Sequence, residues 1–326
     1  MNVSGMNTII VDKKEKALTK DEWVLEERNG LVLVFSPLLN KYPNFVHAFT
    51  TRLGGQSKPP FDSFNVGINN TTDEETRKDA RHNKALLCQA LNLPFQHLIT
   101  AKRLVHSADV VMLETHSDPG EVDGIATRTR LRPVYMTFAD CVPMIVYDQA
   151  KHILCLIHAG WRGTAGGIGK EAVQFMMEKC DSKANDLVVA IGPAIGSCCY
   201  PVGVDVVVKL MASLISTDEL LKMVEAVEAF KQPCSEQKDK LKNMTGKIWD
   251  LINKLNLTDF FKLGETQIHV DLKAINAYQL LDLNVSDVDI TNFCTSCKKD
   301  LFYSYRRSYV CGEGPTGRQA AIACLV

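Results

Sequence analysis

The side chains best suited to hold a metal ion in this 326-residue chain are two histidines and a cysteine placed at the ends of apolar runs. His158 follows the run 153–157 (ILCLI) and opens His158-Ala159-Gly160-Trp161-Arg162-Gly163. A polar side chain at the carboxyl end of a buried strand, just before a glycine turn, is where α/β proteins place their sites. Cys141 holds the equivalent place after the run 133–138 (PVYMTF), in Thr137-Phe138-Ala139-Asp140-Cys141. If the runs 143–147 and 153–157 pair as a hairpin, Cys141 and His158 stand at one edge of a sheet. A thiolate and an imidazole converging there suit a borderline-soft ion such as zinc. His106, just before the run 109–113 (DVVML), is the candidate third ligand. Three protein ligands leave a fourth position open to water, which is the catalytic arrangement. Asp140 is a candidate to orient a ligand or shuttle a proton. The same Cys141–His158 pair also suits a cysteine nucleophile with a histidine base.

The elements that must position these residues are legible as runs. Short apolar stretches without alternation, at 109–113, 133–138, 143–147, 153–157 and 187–191, fit central strands covered on both faces. Helical spacing follows the Gly160–Gly169 turn over 164–180, and Asp73 is placed to cap a helix running to about Leu91. A helix and three strands are expected at 271–282, 287–291, 301–306 and 319–325. The expectation is a mixed α/β fold in the α+β sense: a mixed β-sheet sandwich flanked by helices, in a single catalytic domain. Residues 1–30 read as a leader or ribbon, and 31–326 as the catalytic domain. A helical insert at about 205–262, broken by Pro233, is an added layer with the potential to dock a protein partner.

Composition narrows the classes. Apolar residues make up 46% and charged residues 23%, with a net charge of −1, so the chain has neither the basic total nor the basic face of a nucleic-acid binder. No window approaches the roughly 18 apolar residues of a membrane span. Eleven cysteines, an odd and irregular set with Cys198 and Cys199 adjacent, read as reduced thiols in a cytoplasmic protein. Cys294-Thr295-Ser296-Cys297 is a C-x-x-C with no second such pair, read as structural or cleft-lining.

Several motifs together carry a resemblance. They are Phe49-Thr50-Thr51-Arg52-Leu53-Gly54-Gly55, Asn65-Val66-Gly67, Val105-His106-Ser107-Ala108-Asp109-Val110, the Ala-Asp-Cys-Val-Pro of 139–143 and His158 to Thr164. Further on lie Ile191 to Gly196, Cys198-Cys199-Tyr200-Pro201-Val202-Gly203, Phe302 to Arg307 and Thr316-Gly317-Arg318. From about residue 43 to the C-terminus the chain resembles the YfiH/YlmD family, the multicopper polyphenol oxidoreductase or laccase-domain proteins, in its animal-like form. The resemblance implies one zinc per chain on His106, Cys141 and His158. It also implies phosphorolysis of adenosine, inosine, guanosine and methylthioadenosine, together with adenosine deamination. Arg52 and Arg162 are then candidate phosphate ligands, since arginine presents a forked donor set to phosphate oxygens. His47 and Asn65 are candidate nucleoside contacts, and the insert Ser308–Pro315 puts any role for Arg318 in doubt. Copper is the weaker alternative metal. A multicopper oxidase of that resemblance requires about ten histidines, several in H-x-H pairs, and this chain has eight with no H-x-H.

Overall fold

The computed structural model describes residues 22–67, 73–113, 118–215, 220, 235–285 and 287–326, with side chains of the helix at 235–254 described from residue 244. The elements run β1 (Val24–Arg28), β2 (Leu31–Phe35), β3 (Phe45–Thr50), α1 (Glu74–Ala90), β4 (Val110–Met112), β5 (Gly124–Thr127) and β6 (Val134–Phe138). They continue β7 (Val142–Asp148), β8 (Ile153–Ala159), α2 (Trp161–Ala165), α3 (Ile168–Cys180), β9 (Leu187–Ile191), β10 (Pro201–Val202) and α4 (Val204–Leu214). The last are α5 (Ser235–Lys254), β11 (Phe261–Leu263), β12 (Ile268–Val270), α6 (Leu272–Asp282), β13 (Asp287–Ile290) and β14 (Gln319–Leu325).

An antiparallel sheet and a mixed sheet face each other. One has the order β1-β2-β3-β14-β6, the other β13-β9-β7-β8-β5-β4, and a small third sheet is β10-β12-β11. The alternation along β7 and β8 shows why both faces are apolar. Met144 and Val146, with Cys155 and Ile157, pack against helices α3, α4 and α6. Ile145 and Tyr147, with Leu154 and Leu156, pack between the sheets against Phe45, Phe49 and Ile322's neighbours Ala321 and Ala323. The outer face of the first sheet buries Leu31, Leu33 and Ile322 under Leu87 and Cys88 of α1. Each such side chain contributes roughly 1.5–3 kcal/mol on burial, and the result is the helix-flanked sandwich expected from the runs.

Local chemistry sets the boundaries. Asp73 caps α1 by accepting from the Thr76 amide at 2.8 Å. The helical spacing expected over 164–180 divides into α2 and α3 at Gly166-Gly167, where Gly167 takes φ 75°. Asn29 and Gly30, both at positive φ, make the two-residue turn that joins β1 to β2 as a hairpin across the 1–30 boundary. Residues 1–21 of the expected leader, and Pro233 of the expected insert, lie outside the described residues. Within the insert, α4 buries Val207, Leu210 and Met211, and α5 buries Ile248, Leu251 and Ile252, all in the core beneath the second sheet. The expected strand at 301–306 does not form. Its backbone is satisfied outside any sheet: Leu301 N and Phe302 N donate to Lys298 O, Gln319 brackets Tyr303 N and O at 3.0 and 3.1 Å, and Asp140 Oδ2 accepts from Arg306 N. No helix among the described residues is long and apolar enough to cross a membrane.

Candidate metal centre

Three strand ends assemble the centre. β7 and β8 pair antiparallel with Val142 opposite Ala159, so the hairpin expected from the runs forms and Cys141 meets Gly160 across it. His158 continues the Leu154–Leu156 series and so points between the sheets, with its ring 5.3 Å from that of Phe138. On the other side of β8, Gly124 of β5 lies opposite Ile157, which puts Asp123 beside His158. The loop before β4 brings in His106. The ligating atoms of His106, Cys141 and His158 all lie within 4.8 Å of one another. The set is graded in exposure, from buried His158 through half-buried Cys141 to exposed His106. A Cβ on Gly160 would sit 2.9 Å from His106 Nδ1 and 3.3 Å from Cys141 Sγ. Glycine is what keeps the space among the donors clear.

Asp123 organises the donors. It is fully buried, and its Oδ1 lies 2.9 Å from His158 Nδ1. Its Oδ2 accepts the amides of Val105 at 3.1 Å and Ser107 at 2.9 Å, the residues on either side of His106. With Nδ1 donating to Asp123, the Nε2 of His158 is the atom left for a metal. The same carboxylate holds His106 at φ 57°, a left-handed conformation that costs on the order of 1–2 kcal/mol for a non-glycine residue. Asp140, at φ 85°, is tied differently. Its carboxylate accepts from Thr295 Oγ1 at 2.6 Å, Ser304 Oγ at 2.9 Å and Arg306 N at 2.7 Å. The ligand-orienting contact to His158 therefore belongs to Asp123, and Asp140 anchors the neighbouring wall.

The electrostatics suit a cation. Burial works against the charged form of His158, but the neighbouring Cys141 and the Asp123 carboxylate outweigh it and lift His158 to about 9. Burial also opposes ionisation of Asp123, yet the His158 bond and the Ser107 and Val105 amides hold its carboxyl below the usual range. His106 is depressed by burial and by the charge of His158. One buried proton on His158 thus stands where Cys141 and the Asp123 carboxylate would favour a metal ion. Two imidazoles and a thiolate, with the outer nitrogen of one imidazole already bound, fit a borderline-soft divalent metal.

The centre opens into a cavity of about 710 Å³, within the range of small-molecule sites. Asn65, Asp140 and Arg162 line it together with the three donors. Arg162 is exposed, with its guanidinium carbon 4.3 Å from the Trp161 ring centre. Asn65 Oδ1 accepts the amides of Gly67 and Arg318 at 3.0 and 2.9 Å, and so joins two walls. Arg318 lines the cavity despite the Ser308–Pro315 insert. Arg52 and His47 are placed elsewhere. The Arg52 guanidinium donates to Asp62 O and Lys299 O and stacks on Tyr303 at 4.8 Å. His47 is buried on β3, where its Nε2 accepts the Ser36 amide at 2.9 Å.

Sequence reasoning missed Asp123, Tyr200, Arg103 and Arg306. The signal for Asp123 was a lone carboxylate opening a buried run, Asp123-Gly124-Ile125-Ala126-Thr127. Arg306 stood inside a quoted motif with Arg307. The structure separates the two: Arg306 lines the cavity, whereas Arg307 donates to the carbonyls of Thr295, Ser296 and Phe302. Among the described residues, the other grouping with metal-ligand chemistry is Cys198, Cys199, Cys294 and Cys297, which gives the C-x-x-C its second pair.

Several known proteins are similar to this chain. The purine nucleoside phosphorylase YlmD of Geobacillus stearothermophilus is 32% identical over 289 residues, covering 85% of this chain and 88% of the relative. The human purine nucleoside phosphorylase LACC1 is 29% identical over 174 residues, covering 53% of this chain and 39% of that protein. The crystal structure of Geobacillus stearothermophilus YlmD superposes with a TM-score of 0.72 at 29% identity, covering 94% of this chain and 99% of that one. YfiH of Bacillus licheniformis does so with a TM-score of 0.69 at 25% identity, covering 93% and 99%. The model for the multi-copper polyphenol oxidoreductase laccase family matches residues 46–326, and the chain belongs to that family of enzymes.

Proposed function

We propose that the chain is a zinc-dependent purine nucleoside phosphorylase that acts on adenosine, inosine, guanosine and methylthioadenosine and also deaminates adenosine. The observation that carries this reading is the meeting of an N,N,S donor set with arginines in one cavity sized for a small molecule. The names of the relatives point the same way. Zinc held by His106, Cys141 and His158 would supply Lewis acidity beside the bound nucleoside.

The chain's own residues account for the rest. Asp123 fixes the ring of His158 and the loop of His106, so the donors need no rearrangement on binding. Arg162, with Arg103 and Arg306 also on the wall, offers positive charge to phosphate and to the developing charge of its attack on the anomeric carbon. Tyr200 and Tyr305 offer flat faces for a purine. Copper would reach the same donors, since copper(II) outcompetes zinc at most nitrogen and sulfur ligands. Among the described residues only one grouping contains histidine, so a trinuclear copper cluster has no counterpart there.

A second reading has one observation behind it. Cys141 lies within 4.8 Å of His158, and His158 Nδ1 is bonded to Asp123 Oδ1 at 2.9 Å, the order of nucleophile, base and orienting acid in a cysteine hydrolase. Chelation separates the two. A phosphorylase of this kind loses phosphate-dependent release of hypoxanthine from inosine when stripped of metal and regains it with zinc. Full turnover by metal-stripped protein would favour the hydrolase.

A further inference from the structure

Four more cysteines gather away from this centre. Cys198 and Cys199 lie on the turn between Gly196 and Tyr200, and Cys294 and Cys297 on the turn that follows β13. A bridge between Ala194 and Cys294, with Thr295 N donating to Ala194 O at 3.0 Å, sets the two turns side by side. All four sulfurs lie within 4.8 Å of one another, and Cys297 Sγ is 3.3 Å from both Cys198 Sγ and Cys199 Sγ. The Gly196 amide donates to Cys294 Sγ at 3.2 Å. Nearby, Lys273 is only 6% exposed, and its Nζ donates to Thr291 O and to Phe293 O, the residue just before Cys294. Lys273, Asp271, Cys198 and Cys294 share the lining of a second cavity of about 400 Å³.

We propose that Cys198, Cys199, Cys294 and Cys297 form a second metal site, a closed four-thiolate site for zinc. Zinc–sulfur bonds of about 2.3 Å in a tetrahedron put the sulfurs about 3.8 Å apart, inside the spread observed here. Each thiol gives up its proton to solvent on binding, so four ligands and one divalent ion leave a net charge of about −2 at the site. The buried ammonium of Lys273 offsets part of that charge, and the Gly196 amide stabilises one thiolate. Four protein ligands leave no open position, so the site is structural. It pins two turns that feed the first cavity. Tyr200, next to Cys199, lines that cavity, and Thr295, next to Cys294, donates to Asp140 at 2.6 Å. The site stands whatever reaction the first centre performs.

The test is the zinc count on the full chain by native mass spectrometry under reducing conditions. Wild type should carry two zinc ions, and His106→Ala and Cys297→Ser one each. His106→Ala protein loaded with cobalt(II) should show the intense thiolate-to-metal absorption of an all-sulfur tetrahedral site. Because that readout leaves all four cysteines intact, it decides the matter even if Cys297→Ser fails to fold. No zinc on His106→Ala protein, two on Cys297→Ser, or no thiolate band in cobalt-loaded His106→Ala protein would overturn the proposal. So would a disulfide mapped by peptide mass spectrometry between two of these four cysteines in protein purified without reductant.

Discussion

Replacing Asp123 by asparagine tests the organisation of the centre without touching a ligand. The substitution keeps size and shape but turns one carboxylate oxygen into an amine. If the remaining oxygen still accepts from Val105 and Ser107, the amine faces His158 Nδ1 and donates to it. The imidazole proton then moves to Nε2, the atom meant for the metal. If the amide flips, the amine faces two amide donors and the loop of His106 loses its clamp. Either outcome removes at least one hydrogen bond to a charged acceptor, worth roughly 1.5–3 kcal/mol. Outer partners of metal-bound histidine typically contribute about 10–100-fold in affinity, which is the same energy range. Zinc affinity, measured by competition with a chromophoric chelator, should therefore fall about 10–100-fold while the circular dichroism of the sheets is retained. Affinity within about twofold of wild type would refute the orienting role of Asp123.

Three further perturbations have definite expected outcomes. Gly160→Ala should lower zinc affinity at least about tenfold, because its Cβ would enter the space between His106 Nδ1 and Cys141 Sγ; the competition assay reads this directly. Arg162→Ala should raise the KM for phosphate about tenfold, the low end for a lost charged contact because Arg162 is exposed. It should leave adenosine deamination nearly unchanged, and equal losses in both reactions would mean that Arg162 only shapes its loop. His47 is held neutral by burial, which pulls it from 6.5 down to about 3. A folded-state value below the unfolded one means that its contribution to stability is complete above about 6.5 and is lost progressively as pH falls toward 3, at up to about 1.4 kcal/mol per pH unit. Urea melts of wild type and His47→Gln over pH 4–7 should show a shallower decline for the variant.

The central hairpin was legible because its two strands are short, unalternating and close in sequence. The pairing of Val142 with Ala159 then follows from the length of the turn, and with it the meeting of Cys141 and His158. Asp123 was not legible. Its partners lie 16 to 35 residues away, and a single carboxylate before a strand has no periodicity to betray it. The four-cysteine cluster escaped for a similar reason. Cys198 and Cys199 are adjacent rather than spaced as C-x-x-C, and the bridge from Ala194 to Cys294, with the Gly196 amide on Cys294 Sγ, brings them to the other pair. The segment 301–306 read as a strand because Leu301, Phe302 and Tyr303 are apolar. Its hydrogen bonds go to the turn at Lys298 and to Gln319 and Asp140, whose positions depend on β14 and on the loop before β7. Arg52 stood in a motif beside threonines, yet backbone carbonyls satisfy its guanidinium, a competition that spacing does not reveal.

The most direct test of the proposed function uses protein loaded with zinc alone and freed of copper, given inosine with and without phosphate. Base release is followed alongside oxygen uptake with a phenolic substrate. Hypoxanthine and ribose phosphate should form only when phosphate is present, with no oxygen consumed. Rapid oxygen uptake at full zinc occupancy, with inosine left intact, would contradict the assignment.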